Sequence, residues 1–279
     1  MKWSEAAKKA VDEVPFFVRA RVRKRVEEEA GRAGAGEVCL GHVQACRRHF
    51  LTKMEDEVSG YQVETCFGPG GCPNRAVVCD GLTETLKERL VARDLKSFLK
   101  KVVEGPLKIH HEFRVSVSDC PNACSRPQIV DIGLVGACRP VVTDENCSGC
   151  GACAETCREE AISFSDEAPV VDSAKCLSCG KCIPVCPTGA LQARESGYRI
   201  LLGGKLGRHP RLATELPGIF DKDKIPAIID RCLDYYKNHC AGGERLGEIM
   251  EKNGMEDILK KKSSLDFMSC HPHNSTVDN

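Results

Sequence analysis

Cys147-Ser148-Gly149-Cys150-Gly151-Ala152-Cys153-Ala154-Glu155-Thr156-Cys157 returns 29 residues later as Cys176-Leu177-Ser178-Cys179-Gly180-Lys181-Cys182-Ile183-Pro184-Val185-Cys186. Both runs read Cys-x2-Cys-x2-Cys-x3-Cys, and a period seen only twice marks a duplicated unit rather than a solenoid. A cubane cluster needs four thiolates converging from different directions. Two-residue gaps let three cysteines wrap one cluster, and the fourth of each run then serves the other cluster. The spacing therefore assigns Cys147, Cys150, Cys153 and Cys186 to one [4Fe–4S] cluster, and Cys176, Cys179, Cys182 and Cys157 to a second. Pro187 follows Cys186 as this pattern expects, whereas Arg158 follows Cys157. Structural zinc is the competing reading, but zinc sites use paired rather than triple-stepped cysteines.

The rest of the chain bounds the setting. Nineteen cysteines in 279 residues need an explanation, and a disulfide scaffold belongs to short secreted chains. The opening Met1-Lys2-Trp3-Ser4-Glu5-Ala6-Ala7-Lys8-Lys9 has neither an apolar h-region nor a small-residue cleavage site. No apolar stretch is long enough to cross a bilayer. The expectation is a soluble protein of the reducing cytoplasm, whose clustered thiolates bind metal. Forty basic residues balance forty acidic ones and aromatics make up 5%, so neither a nucleic acid nor a membrane is expected as a partner. At 42% apolar and 29% charged the composition is that of an ordinary globular chain, long enough for two or three modest domains.

Residues 1–52 read as helical. Val14-Pro15 starts a helix with Phe17, Val18, Val22 and Val26 on its apolar side. Its basic run is followed by Glu27, Glu28 and Glu29, and the four-residue spacing of Arg23–Glu27 and Arg25–Glu29 predicts an ion-paired, solvated face. A second helix runs from Leu40 to Glu57. Tyr61–Cys66 reads as a strand leading into the loop Phe67-Gly68-Pro69-Gly70-Gly71. Residues 81–104 return to helical periodicity, and 108–117 have strand character. Ile200-Leu201-Leu202 is a further short strand, residues 224–262 are helical, and the tail from Ser263 is polar. The fold class expected is α+β.

Two further cysteine pairs, Cys66-x5-Cys72 and Cys120-x3-Cys124, suit one metal centre held between two loops. Spacing alone admits zinc or a third cluster. Ser118-Asp119-Cys120-Pro121-Asn122-Ala123-Cys124-Ser125-Arg126-Pro127 resembles the cluster loop of sirohaem-containing sulfite and nitrite reductases. So do Asp131-Ile132-Gly133-Leu134-Val135-Gly136 and Gly203-Gly204-Lys205. The block at 145–192 resembles bacterial dicluster ferredoxins, and its insertion is similar to the arrangement in dissimilatory-type and anaerobic sulfite reductase subunits. Residues 1–50, with Trp3, Val14–Arg19 and Glu27–Gly31, resemble the small helical domain of a light-independent protochlorophyllide reductase subunit. The domain expectation is residues 1–52 helical, 53–145 with 193–279 reductase-like, and 146–192 the dicluster insert.

The resemblance implies three [4Fe–4S] clusters and sirohaem, with Cys124 bridging the third cluster to the haem iron. It makes Arg114 and Lys205 the candidate catalytic cations for a small oxyanion. Cys124, Arg114, Lys205, Arg208 and Arg211 become candidate cofactor-binding residues. It implies an electron-donor protein and, because larger members contain two related halves, a homodimer or a partner subunit. The match is incomplete in two places: Glu112 stands where a second basic residue is expected, and Asp119 replaces the usual glycine. His110 and His111 are proton donors, haem contacts or structural residues. Two functions stay open: a sirohaem reductase acting on sulfite or nitrite, and an electron-transferring or sirohaem-binding protein that serves a partner enzyme. Of the seven remaining cysteines, most are expected to be small buried hydrophobes, and Cys270 with His271 and His273 forms a weak metal-binding candidate.

Overall fold

The computed structural model describes residues 1–78, 81–165 and 168–259, without the side chains of Lys53 and Met54. Elements in the first part of the chain are β1 (Lys2–Trp3), α1 (Glu5–Asp12), α2 (Phe16–Arg32), β2 (Glu37–Val38), α3 (Leu40–Glu57), β3 (Tyr61–Thr65), α4 (Leu82–Ala92), α5 (Leu95–Val102) and β4 (Phe113–Ser118). They continue with β5 (Ile132–Val142), α6 (Ala152–Thr156), β6 (Ile162–Ser165), β7 (Ala168–Val171), β8 (Leu191–Leu202), β9 (Thr214–Glu215), α7 (Ile225–His239), α8 (Leu246–Asn253) and α9 (Glu256–Leu259). Helices and strands are mixed without regular alternation, as expected for an α+β chain. Two compact units result: residues 1–62 with 94–113, and residues 63–93 with those from 114 onward.

In the first unit Ser4 caps α1 by accepting from Ala7 N (3.3 Å), and β1 pairs with β2 in parallel. Ala7, Val26, Ala30 and Val38 form the core, with Trp3, Val22 and Val43 packed around them. The stripe on α2 is Val22, Val26 and Ala30. Phe17, expected on it, is 75% exposed, because a five-residue step before Val22 turns it well away from that line. The expected i,i+4 pairs give way to other partners. Arg19 and Arg23 reach Asp12 (3.6 and 3.5 Å), and Glu27 accepts from Trp3 Nε1 (2.8 Å). Arg25 lies over the Phe50 ring, and Glu29 pairs with Arg32 (3.4 Å). The Trp3 hydrogen bond, with help from the terminal amine, holds the Glu27 carboxyl below its usual range.

The helical periodicity expected over 81–104 is broken at Asp94. Its backbone is left-handed (φ +43) while its carboxylate caps Ser97 N (3.3 Å), so α4 and α5 are separate helices. The strand expected over 108–117 starts only at Phe113, since Ile109–His111 is a 3-10 turn.

The five-stranded sheet has the order β3–β4–β5–β8–β9. β4 runs parallel to β5, so a connection must cross over between them, and residues 119–131 make it. β5 and β8 form a long antiparallel ribbon from Ile132↔Leu202 to Val142↔Leu191, with a bulge at Arg139/Pro140. The strand foreseen only at 200–202 thus begins at Leu191, because pairing with β5 carries a polar, partly exposed segment into the sheet. At the open end of this ribbon Thr143 N donates to Ala190 O (3.0 Å) and Thr143 Oγ1 to Gly189 O (3.0 Å). The duplicated cysteine runs therefore leave the sheet and return to it at adjacent points, and they close around Cys153, Ile162, Cys182 and Leu191.

At the other end of the ribbon sits a buried ion pair. Asp131 is fully buried, and its carboxylate takes Arg245 Nε (3.0 Å), Arg245 Nη2, Leu246 N (3.2 Å) and Arg114 N (2.8 Å). This ties α8 to the start of β5. Gly203 and Gly204 are needed at the same junction. Gly203 packs directly on Gly247, and Gly204 passes against the carbonyls of Gln128 and Val130, where a Cβ would overlap backbone. Replacing Arg245 with Ala leaves Asp131 as an uncompensated buried charge. We expect a loss of about 3–5 kcal/mol of stability, read as a fall in the urea midpoint.

Candidate metal centres

Cys66 lies just past β3 and Cys72 just past the turn at Gly68–Gly70, while Cys120 and Cys124 lie on the crossover between β4 and β5. Cys66 N donates to Val117 O (3.0 Å), which sets the first loop beside the start of the second. Cys66 Sγ accepts from Gly68 N (3.2 Å) and Asp119 N (3.3 Å). Burial pushes the Cys120 thiol up, against a backbone N–H from Asn122. Its neighbours Cys124, Cys66 and Cys72 push the same way as burial, because a second thiolate close by disfavours ionisation. The four sulfurs thus form one group. Cys120 is buried and Cys124 is exposed.

The loop carrying Cys120 and Cys124 is held by hydroxyls. Ser116 Oγ donates to Ser125 O (2.7 Å), Ser125 Oγ to Val117 O (2.9 Å), and Ser125 N to Ser118 Oγ (3.2 Å). Ala123 and Arg126 have left-handed backbones, and Ser178 and Glu160 in or beside the duplicated runs do too. Four of the five such non-glycine residues described therefore belong to cysteine loops. Strain of this kind collects where surrounding structure imposes it, here in turns that aim N–H groups at sulfur.

Asp119 is central to the site. It is 4% exposed; its carboxylate accepts from the Tyr198 hydroxyl (3.0 Å) and forms an ion pair with Arg75 Nε (3.1 Å). Its carbonyl accepts from Ala76 N (2.8 Å). Gly68 lies against this carboxylate so closely that any side chain there would overlap it.

In the duplicated runs, burial raises the Cys153 thiol, and its thiol neighbours Cys147 and Cys186 add to the effect. Burial lifts Cys182 to about 12, with Cys179, Cys176 and Cys157 as its thiol neighbours. Each run's third thiol thus has the fourth cysteine of the other run beside it, Cys186 by Cys153 and Cys157 by Cys182. Backbone N–H groups also point at sulfur here: Gly149 to Cys147, Ser178 to Cys176 and Ala161 to Cys157, each at 3.4 Å. A small cavity lined by Cys157, Ile162, Val171, Cys176, Cys179 and Cys182 lies within the second group. Among the described residues, no three His, Cys, Asp or Glu side chains are gathered tightly enough to hold a single metal ion.

The basic candidates are placed unequally. Arg114 shares a strand face with Ser116 and Ser118, and its Nε is buried with no hydrogen-bond partner among the described residues. The loop after β8 reaches the segment that follows Cys124, where Ala213 N donates to Gln128 O (2.8 Å). On that loop Arg208 is exposed. Lys205 pairs with Glu248 (2.5 Å); Lys205 and the Arg245 N–H hold the Glu248 carboxyl below its usual range despite burial. Arg211 donates to Gly247 O (2.6 Å) and pairs with Glu251 (3.5 Å).

Glu112, in the first unit, is buried and accepts from Ser59 N (2.7 Å), so it serves as a structural tether. His111 Nδ1 accepts from Lys108 N (3.1 Å), and burial, then His110, holds its imidazole below the usual range. Cys232 and Cys240 are buried small hydrophobes, Cys232 pushed to about 12 by burial. Cys79, Cys270, His271 and His273 and the polar tail lie outside the described residues. Sequence alone does not single out Ser116, Ser118, Ser125, Arg75 or Tyr198. The serines carry a signal, alternation on a strand that enters a cysteine loop.

The profile of the nitrite and sulphite reductase 4Fe-4S domain matches residues 62–266, and the chain belongs to this family of iron–sulfur oxidoreductases. Residues 3–47 match the profile of the proto-chlorophyllide reductase 57 kD subunit. The coenzyme F420-dependent sulfite reductase of Methanocaldococcus jannaschii is 36% identical over 196 residues, which are 70% of this chain and 30% of that protein. One subunit of the anaerobic sulfite reductase of Salmonella typhimurium is 29% identical over 225 residues, 77% of this chain and 66% of that one. The chain thus spans less than two thirds of either relative. The crystal structure of dissimilatory sulfite reductase I aligns with a TM-score of 0.49 at 18% identity, covering 78% of this chain and 56% of that one. No described helix is long and apolar enough to cross a membrane.

The thiol shifts predict an order of reactivity in metal-free protein. Burial works against ionisation of Cys186, but N–H groups of Leu191 and Thr188 and the Thr188 hydroxyl outweigh it and lower its pKa. A lowered pKa means more thiolate at a given pH. At pH 8, iodoacetamide followed by peptide mass mapping should therefore modify Cys186 well before Cys182.

Proposed function

We propose that the chain holds three [4Fe–4S] clusters and a sirohaem, and passes electrons through the duplicated runs and the four-cysteine site to sulfite or nitrite. The observation that carries the proposal is the gathering of Cys66, Cys72, Cys120 and Cys124 with one thiol, Cys124, exposed. Zinc is the alternative for four cysteines, and the match of residues 62–266 to the profile of a 4Fe-4S domain favours a cluster. N–H groups directed at sulfur support clusters as well, since such bonds set cluster potentials.

The residues present fit sirohaem on the side of Cys124. An exposed thiol is available to its iron, and the buried Nε of Arg114 lacks the anion that would complete it. Sirohaem supplies a redox-active iron with a position for a small oxyanion. Arg114 is suited to hold a carboxylate of the macrocycle or the substrate's charge in a charge-assisted hydrogen bond. Arg208 is free to meet a macrocycle carboxylate. Lys205 and Arg211, held by Glu248 and by Gly247 and Glu251, shape the loop that presents it. Asp119 and the serines keep the cysteine loop rigid, and rigidity of the ligand loops favours electron transfer. A partner subunit or second copy completes the pocket, and a separate protein donates the electrons.

The test uses anaerobically purified protein with a reduced dye. Haem absorption and dye oxidation on adding sulfite or nitrite support the reductase. Haem absorption without dye oxidation would leave a carrier that serves a partner enzyme. Cys124→Ser should shift the haem spectrum and remove dye oxidation; an unchanged spectrum refutes the bridge. Arg114→Met should lower kcat/KM for the anion by about 10- to 100-fold, the scale of one charged hydrogen bond lost (about 1.5–3 kcal/mol).

A further inference from the structure

We infer that the cluster bound by Cys157, Cys176, Cys179 and Cys182 is the one that hands electrons to the four-cysteine site, and that the Cys147, Cys150, Cys153 and Cys186 cluster is the outer, receiving one. This rests on the reading that both runs hold clusters. Electron tunnelling falls steeply with distance, so the order follows from which cysteine loop abuts the third site.

The loop of the second run docks there at two points. Lys181 Nζ donates to Asn74 Oδ1 (2.5 Å), joining the residue before Cys182 to the second residue after Cys72. Cys138 N donates to Ser178 O (2.6 Å), and Cys138 and Cys179 form a parallel bridge. Gly180 packs on the Cys138 side chain, where an added Cβ would sit 2.8 Å from its Cβ. Cys138 is on β5. Two residues earlier, about 7 Å along the strand, Gly136 lies against the backbone of Asp119, the residue before Cys120. One short piece of β5 thus touches the Cys179 loop at one end and the Cys120 loop at the other. The first run is more open at two equivalent positions. Gly149 and Cys150 are exposed, whereas Ser178 is buried and Cys179 half-buried. In the transfer the inner cluster goes from the 1+ to the 2+ state as the four-cysteine cluster goes from 2+ to 1+. One electron moves and no bond is made or broken.

Electron paramagnetic resonance of the dye-reduced full chain tests the order, because two paramagnetic clusters close together broaden each other's signals. Cys179→Ala should remove the broadening from the four-cysteine cluster, and Cys150→Ala should leave it. The reverse pattern, or broadening untouched by both, overturns the order. Since the two runs share ligands, a second pair of variants keeps every cysteine. Lys181→Met should lower the midpoint potential of the cluster that is magnetically coupled to the third. Glu145→Gln, at an exposed position two residues before Cys147, should move only the other one. A Lys181→Met shift confined to the uncoupled cluster also overturns the order. Wild-type protein with full iron but the wrong pattern rejects the order alone, while wild-type protein holding only the four-cysteine cluster rejects the relay as well.

Discussion

The carboxylate of Asp119 joins three segments far apart in sequence: Arg75 after the first cysteine pair, Tyr198 on β8, and its own place beside Cys120. Its N–H reaches Cys66 Sγ and its carbonyl takes Ala76 N. Without that carboxylate the Cys120 loop would lose its tie to β8 through Tyr198 and its ion pair with Arg75. A buried charge is tolerated when it is paired and hydrogen-bonded. Here the pairing also fixes where four sulfurs stand. Gly68 is the counterpart of this choice, since only a residue without a side chain leaves room for the carboxylate.

A similar economy joins the duplicated runs to the sheet. β5 and β8 form a ribbon open at one end, and the cysteine-rich segment occupies that end, pinned by Thr143. The insert closes on its own small core, half of it cysteine. Its cysteine loops meet the sheet at Cys138, which bridges to Cys179. At the ribbon's other end, Asp131 and Arg245 anchor α8, and α8 in turn holds Lys205 and Arg211. The basic loop and the cysteine crossover therefore share one foundation, which is why the segment after Cys124 and the Gly203-Gly204-Lys205 turn lie together.

Much of this was legible in the sequence because it depends on local rules. Three-step cysteine spacing constrains its own geometry, so the closeness of Cys186 to Cys153 and of Cys157 to Cys182 is readable from residue numbers alone. The start of α2 follows from Pro15 and the span of α3 from the helical reading of Leu40 to Glu57. What was not legible depends on distant partners. Asp119 looked like a departure from a glycine position, because nothing local announces Arg75 and Tyr198. Glu112 looked like a missing cation, but its partner, Ser59 N, lies 53 residues earlier. Phe17 was misplaced because apolar character alone does not say whether a helix's first turn reaches a core. The length of β8 exceeds the expected Ile200–Leu202, since its first half is polar and is carried into the sheet by pairing with β5.

Iron, acid-labile sulfide and sirohaem counted per chain in anaerobically purified protein address the central claim most directly. Three clusters and one haem require about 13 iron and about 12 sulfide atoms per chain, with one sirohaem. Zinc in place of sulfide-bound iron, or about 12 iron with no haem absorption, would contradict it.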